Sequence, residues 1–235
     1  MQKERVLVTG ASGFIGSNLL DYLLEKDYEV IGLSRQKNLP KIHPHLTWIR
    51  ALEELKHDRI DYVVNLAGES IAQGRWTDAR KQKLIASRVE TTTMLYQYLA
   101  KRKIQPKCII SGSAVGYYGI DPTEQWTECC NEQSAPQSIF MSELSQKWEQ
   151  SARQDTSQNT KIIRLGVVFG RGAGILPQML FPIKMNLCGR IGSGRQPVVW
   201  VHIQDVLRAI EFLMLHETTA QVFNVVSPEK VTQSA

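Results

Sequence analysis

The 235 residues predict an α/β protein built on a doubly wound parallel sheet, with a small lobe toward the C-terminus. Three observations carry that prediction. Short β-branched runs alternate with longer segments whose apolar residues recur at helical spacing. The first run leads through a glycine-rich turn into an amphipathic helix. A hydrophobic content of 43% is enough to bury one large domain, or one domain and a small lobe.

Arg5 to Val8 reads as the first buried strand, and Thr9-Gly-Ala-Ser-Gly-Phe-Ile-Gly16 opens a helix expected over Gly13 to Lys26. Strands follow at Glu29 to Leu33, Leu46 to Ile49, Tyr62 to Leu66, Lys107 to Ile110 and Lys161 to Leu165. Helices at Thr77 to Lys103 and Ser138 to Asp155 fill the longer intervals and would cover both sheet faces. The polar stretch Asp121 to Gln137 reads as an ordered surface loop, and no repeat or low-complexity tract interrupts the pattern. Residues 1–170 are therefore expected to form one nucleotide-binding domain of Rossmann type. Past Gly170 the pattern changes. Arg171-Gly-Ala-Gly174, an amphipathic segment at Ile175 to Leu187 and the turn Gly189-Arg-Ile-Gly-Ser-Gly194 suggest a partial substrate lobe over 171–235. Within it, a strand at Pro197 to Ile203, a helix at Gln204 to His216 and a strand at Gln221 to Val226 are expected to return to the main sheet. A lobe this thin is expected to need further elements.

The first turn specifies chemistry as well as fold. Glycines at 10, 13 and 16 let the chain turn tightly, bring its backbone close to a diphosphate and pack the helix on the strand. Unpaired N–H groups at the helix start, over Ser12, Phe14 and Ile15, would then face the phosphates. In a doubly wound sheet the ligand crevice lies beyond the carboxyl ends of the strands, where strand order reverses. The second wall of that crevice is Asn65-Leu-Ala-Gly-Glu69, in which Leu66, Ala67 and Gly68 would admit a ribose or adenosine. The second strand ends in Ser34-Arg35 with Lys37 close behind. No acid is there to bond a ribose 2′-hydroxyl, and a guanidinium beside a hydroxyl suits a 2′-phosphate. NADP (NADPH) is expected in preference to NAD.

Composition narrows the alternatives. The net charge of +5 and pI near 9.0 come from interspersed lysines and arginines, which favour anionic small molecules. Nucleic acid is disfavoured, because no basic motif is interleaved with aromatics. Four cysteines show neither zinc spacing nor the density of a secreted disulfide scaffold, so a reducing compartment is expected. With no apolar leader and no apolar run of membrane-spanning length, the chain reads as cytoplasmic and not bound to a membrane. No ligand set for a metal is recognised.

These residues resemble the extended short-chain dehydrogenase/reductase superfamily, in its NAD-dependent epimerase/dehydratase branch, over nearly the whole chain. More narrowly, Asn65-Leu-Ala-Gly-Glu69, Ser111-Gly-Ser-Ala-Val-Gly-Tyr-Tyr-Gly119, Trp148-Glu149, Gly189 to Gly194 and Trp200-Val-His-Ile203 with Asp205 look like the atypical, YfcH-like epimerase-family proteins. The resemblance implies an NADP-binding Rossmann domain and a C-terminal substrate lobe, without supplying a substrate. It implies a catalytic serine at Ser113, its hydroxyl facing the nicotinamide. The usual YxxxK pair has no counterpart: the matching registers give Phe140 with Leu144 or Met141 with Ser145.

Without a neighbouring cation, a phenol with pKa near 10 is a poor proton carrier at neutral pH. Tyr117 and Tyr118 offer phenols from the adjoining loop, Tyr118 as proton carrier and Tyr117 as substrate contact, although an aromatic pocket wall is the plainer role for both. Arg88 is placed facing the cofactor, where it would suit the pyrophosphate. Ser111 and Val168 are placed beside the cofactor, and Glu69, Ser70 and Arg195 toward a polar or anionic substrate. His202 and Asp205 are not assigned catalysis, since Asp205 can serve as a helix N-cap. Family members often pair the two long helices across an interface, which leaves a homodimer open. The expected function is an NADP-binding oxidoreductase or nucleotide-sugar-epimerase-like enzyme, with a non-catalytic NADP-binding regulatory protein as the alternative.

Overall fold

A computed structural model describes residues 3–36, 39, 42–56, 59–72, 74–121, 129–171, 174–185 and 193–232. Seven parallel strands form the central sheet: β1 (Arg5–Thr9), β2 (Glu29–Leu33), β3 (Leu46–Ile49), β4 (Tyr62–Asn65), β5 (Cys108–Ala114), β6 (Thr160–Leu165) and β9 (Val222–Val225), in the spatial order β3-β2-β1-β4-β5-β6-β9. The chain winds outward from β1 to β3, then returns to β4 on the other side of β1, pairing Thr9 with Asn65. That reversal opens a notch beyond the ends of β1 and β4, where ligands of this architecture bind.

Alternation along each strand sorts the core into two layers. Val6 and Val8 of β1, Ile110 of β5 and Ile163 of β6 face helices α1 (Phe14–Glu25) and α5 (Ile203–Leu215), which contribute Leu19, Leu20, Leu23, Val206, Leu207 and Ile210. Leu7, Val63 and Ile109 face the other way, onto Leu95 and Leu99 of α2 (Asp78–Arg102) and Ala152 of α3 (Phe140–Ala152). Each fully buried aliphatic side chain of this kind contributes about 1.5–3 kcal/mol. The long helix α2 has capping chemistry at both ends. The Thr77 side chain accepts the Arg80 N–H, Lys101 and Arg102 sit at the negative end, and Lys103 stops the helix at φ 54°.

The expected strands and helices occur with ends shifted by a few residues, and the strand after α5 joins the main sheet beside β6. The sequence reading missed β7 (Val167–Phe169), which pairs with β8 (Trp200–His202) in a separate two-stranded sheet. The strand expected from Pro197 to Ile203 is thus shorter, while α4 covers Leu176–Lys184. Asp205 is not a cap: His202 caps α5, its Nδ1 accepting the Gln204 N–H at 3.3 Å, and Asp205 pairs with Arg208 in the first turn. Lys37, Cys188, Gly189 to Gly192 and residues 122–128 and 172–173 lie outside the described residues. Among the described residues, no helix is long and apolar enough to cross a membrane.

Candidate functional site

The notch is built from backbone. Gly10 has φ 65°, and a Cβ there would stand 2.6 Å from the Leu66 carbonyl oxygen, so only glycine lets the turn after β1 touch the loop after β4. A Cβ on Gly16 would stand 2.3 Å from Gly10 O, which seats α1 directly on the turn. Gly13 is the N-cap and supplies no side-chain cap, nor does the first turn of α1 hold an acid. The N–H groups at that end therefore meet neither a capping oxygen nor a negative charge, which suits a diphosphate. Phe14 and Ile15 offer only backbone here. Their side chains pack on the core, with the Phe14 ring against Gly170 and Gly174.

Ser12 and Ser34 share a 2.6 Å hydrogen bond that ties the turn to the end of β2. Ser34 is buried, and its hydroxyl also accepts the Gln36 N–H. Arg35 beside it is exposed, and among the described residues no carboxylate pairs with it. Arg35 follows the carboxyl end of β2 with its side chain exposed, while the neighbouring Ser34 hydroxyl is turned inward.

Asn65 organises the second wall. Its Oδ1 accepts from Thr9 Oγ1 at 2.6 Å, and its Nδ2 donates to Thr92 Oγ1 at 2.9 Å and Ser111 Oγ at 3.3 Å. Thr9 Oγ1 also accepts the Ala67 N–H, so β1 holds the Leu66–Gly68 backbone beside the notch. Ser111 is fully buried in this cluster, where its hydroxyl braces Asn65.

Helix α2 grips the rest of the loop. Glu69 pairs with Arg80 at 2.6 Å and Lys83 at 3.0 Å, and those hydrogen bonds hold its carboxyl below the usual carboxylate range. Its N–H donates to Ser87, its carbonyl accepts from Arg88, and the Ser70 carbonyl accepts from Arg80. Glu69 therefore anchors this loop to α2 through its ion pairs with Arg80 and Lys83. Arg88 approaches from the α2 side, bonded to Leu84 O and Glu69 O, and no described contact joins it to the glycine turn.

Ser113 departs furthest from expectation. It is 2% exposed, and its hydroxyl donates to Glu149 Oε1 at 2.7 Å. Glu149, on α3, is held by Arg164 of β6 through Nε at 2.7 Å and Nη2 at 2.9 Å. Arg164 Nη1 then donates to the Tyr118 hydroxyl and to Glu132 O, while the Tyr118 hydroxyl donates to Asn224 Oδ1 of β9. Burial by itself lowers the Arg164 pKa, but the bonds to Glu149 and Tyr118 carry it above its ordinary value. For Tyr118, burial raises the pKa despite Arg164 and Asn224. The Tyr118 phenol is thus bonded on both sides, accepting from Arg164 and donating to Asn224. The Tyr117 ring lies on Arg164, 3.4 Å from Cζ to centroid.

Val168 packs on the core from β7. Arg195 is exposed, its N–H donating to Ser193, and no described contact brings it to Ser113 or Gly68. Sequence reasoning missed Thr92, Arg80, Lys83, Arg164 and Asn224. Arg164 had a signal: a charge inside the apolar run Ile162-Ile-Arg-Leu165 must be paired if the strand is buried.

The pattern of the NAD dependent epimerase/dehydratase family matches residues 6–226. An epimerase family protein of Staphylococcus saprophyticus is 36% identical over 230 residues, spanning 96% of this chain and 76% of the relative. The crystal structure of human epimerase family protein SDR39U1 (isoform 2) with NADPH superimposes with a TM-score of 0.85 at 34% identity, covering 98% of this chain and 76% of that one. A nucleoside-diphosphate sugar epimerase from Corynebacterium glutamicum superimposes with a TM-score of 0.77 at 26% identity, over 99% of this chain and 48% of its own.

Proposed function

The chain belongs to the NAD-dependent epimerase/dehydratase family, and from that membership we propose that it is an NADPH-binding oxidoreductase or epimerase-like enzyme acting on a small polar or anionic substrate. The observation that carries the reading is the notch between β1 and β4. Its walls touch only because Gly10 lacks a side chain, its helix start has no capping side chain, and an exposed Arg35 follows the carboxyl end of the neighbouring β2. The relative of known structure at 34% identity holds NADPH, which supports the same choice of cofactor here.

Gly10, Gly13 and Gly16 would hold the diphosphate, with the amides of Phe14 and Ile15 donating to it. Ser12 and Ser34 brace that turn, and Arg35 would neutralise the 2′-phosphate. Leu66, Ala67 and Gly68 would line the ribose side. When bound, the nicotinamide supplies or accepts a hydride. Because Ser113 donates its single proton to Glu149, its oxygen is left to accept a hydrogen bond from a substrate hydroxyl. A non-catalytic NADP-binding protein is the second reading, favoured by the buried bonding of Ser113 and Tyr118. NADPH consumption across a panel of carbonyl compounds and nucleotide sugars separates the two. Turnover that falls at least tenfold in Ser113→Ala supports the enzyme, NADPH binding without turnover supports the second reading, and failure to bind NADPH or NADH removes both.

A further inference from the structure

Most cations around the crevice meet a carboxylate: Arg80 and Lys83 share Glu69, and Arg164 holds Glu149. Arg88 differs. Its guanidinium donates to Leu84 O at 3.1 Å and Glu69 O at 3.0 Å, with a long contact to Ser87 Oγ at 3.5 Å, all neutral acceptors. Among the described residues no carboxylate pairs with it. Burial, aided by the charge on Arg80 and opposed by the more distant Glu69 carboxylate, lowers its pKa to about 10, so at neutral pH it remains a poorly solvated cation with N–H donors to spare.

Beside it lies a second unsatisfied donor. Arg88 Cζ sits 5.1 Å from the centroid of the Trp148 indole, Trp148 is 8% exposed, and its Nε1 is buried with no acceptor. A buried N–H without a partner in a folded protein calls for one. Two glycines bound this pair. A Cβ on Gly68 would stand 3.0 Å from Arg88 Cζ, and one on Gly112 would stand 3.0 Å from Trp148 Cη2. Gly68 follows β4 on the notch wall away from β1, and Gly112 lies in the carboxyl half of the next strand, β5.

We propose that Arg88 and Trp148 form a binding site for an oxyanion carried by the substrate, a carboxylate or a phosphoryl group. The cation supplies charge and the indole N–H fixes one oxygen, while Gly68 and Gly112 let the two side chains pack closely against the strand ends. This deepens the reading of the crevice as an NADP site and rests on it. It also separates Arg88 from the diphosphate that the sequence assigned to it.

The test follows the tryptophan indole N–H resonances of the full-length protein, with Trp148→Phe assigning the signal. Acetate and inorganic phosphate are titrated into the NADPH-saturated protein at constant ionic strength, with chloride as control. The proposal expects a saturable shift of the Trp148 signal with acetate or phosphate and none with chloride. It expects Arg88→Lys to weaken that response at least fivefold and Arg88→Met to abolish it. Should Arg88→Met fail to fold, Arg88→Lys carries the test. No shift with either anion, or a shift unchanged in Arg88→Lys, overturns the proposal. So does a shift caused by NADPH alone that leaves no further response, because the cofactor's own phosphates then fill the site. Anion shifts in a protein that binds neither NADPH nor NADH would keep the anion site and sink the NADP reading instead.

Discussion

The notch at the ends of β1 and β4 and the buried polar cluster around β5 belong to one sheet, yet they are built by different means. The notch depends on what its residues lack: no Cβ at Gly10 or Gly16, no cap at Gly13. The cluster depends on what its side chains hold: Ser113 on Glu149, Glu149 on Arg164, Arg164 on Tyr118, Tyr118 on Asn224. A site made of backbone can change in binding while the fold survives. A cluster that joins α3, β5, β6 and β9 through a buried ion pair carries fold and chemistry together.

The largest effect that would break this contrast is expected from Glu149→Leu. It leaves Arg164 charged and unpaired at 2% exposure, and the loss should be about 3–5 kcal/mol in urea unfolding. Adding Arg164→Met in the same chain should restore most of it, since the charge is removed along with its partner. Gly10→Ala comes next. Positive φ and the approach to Leu66 O cost about 1–3 kcal/mol of strain, yet cofactor binding, measured by calorimetry, should drop more than tenfold as the turn moves off the loop. If Glu149→Leu were harmless to stability, or Gly10→Ala left binding intact, the division between the two regions would fail.

Ser113→Ala sharpens the comparison from inside the cluster. It removes a donor to Glu149 while both Arg164 bonds remain, so stability should fall by only about 1 kcal/mol in the same unfolding assay. The last effect belongs to pH, outside the neutral range. Burial, with help from Glu4, raises the Tyr62 pKa to about 12, so above the unfolded value near 10 the unfolded chain releases a proton that the folded one keeps. Stability should therefore fall as pH rises from 10 toward 12, and fall less steeply in Tyr62→Phe.

The same contrast explains what the sequence disclosed. Glycines between a β-branched run and an amphipathic helix have few other uses, so the turn, the reversal of strand order and the exposed Arg35 could be placed in advance. Strand and helix periods located nearly every element, and missed β7 only because three residues are too short to show a period. The cluster could not be read that way. Tyr118 and Asn224 are 106 positions apart, and only the closure of β9 onto β6 brings them together. Ser113 and Tyr118 were recognisable as polar groups at a strand end, but which way their protons point depends on Glu149 and Arg164, remote in sequence. Glu69 likewise looked free for substrate until α2 turned Arg80 and Lys83 toward it.

The central claim is that the notch binds NADPH through backbone and Arg35. Calorimetry of the wild-type chain and Arg35→Ala with NADPH and NADH tests it most directly. The account predicts that NADPH binds more tightly than NADH to the wild type, and that Arg35→Ala weakens NADPH by about tenfold, near 1.4 kcal/mol, while leaving NADH unchanged. Equal binding of both dinucleotides to both proteins, or heat from neither, would contradict it.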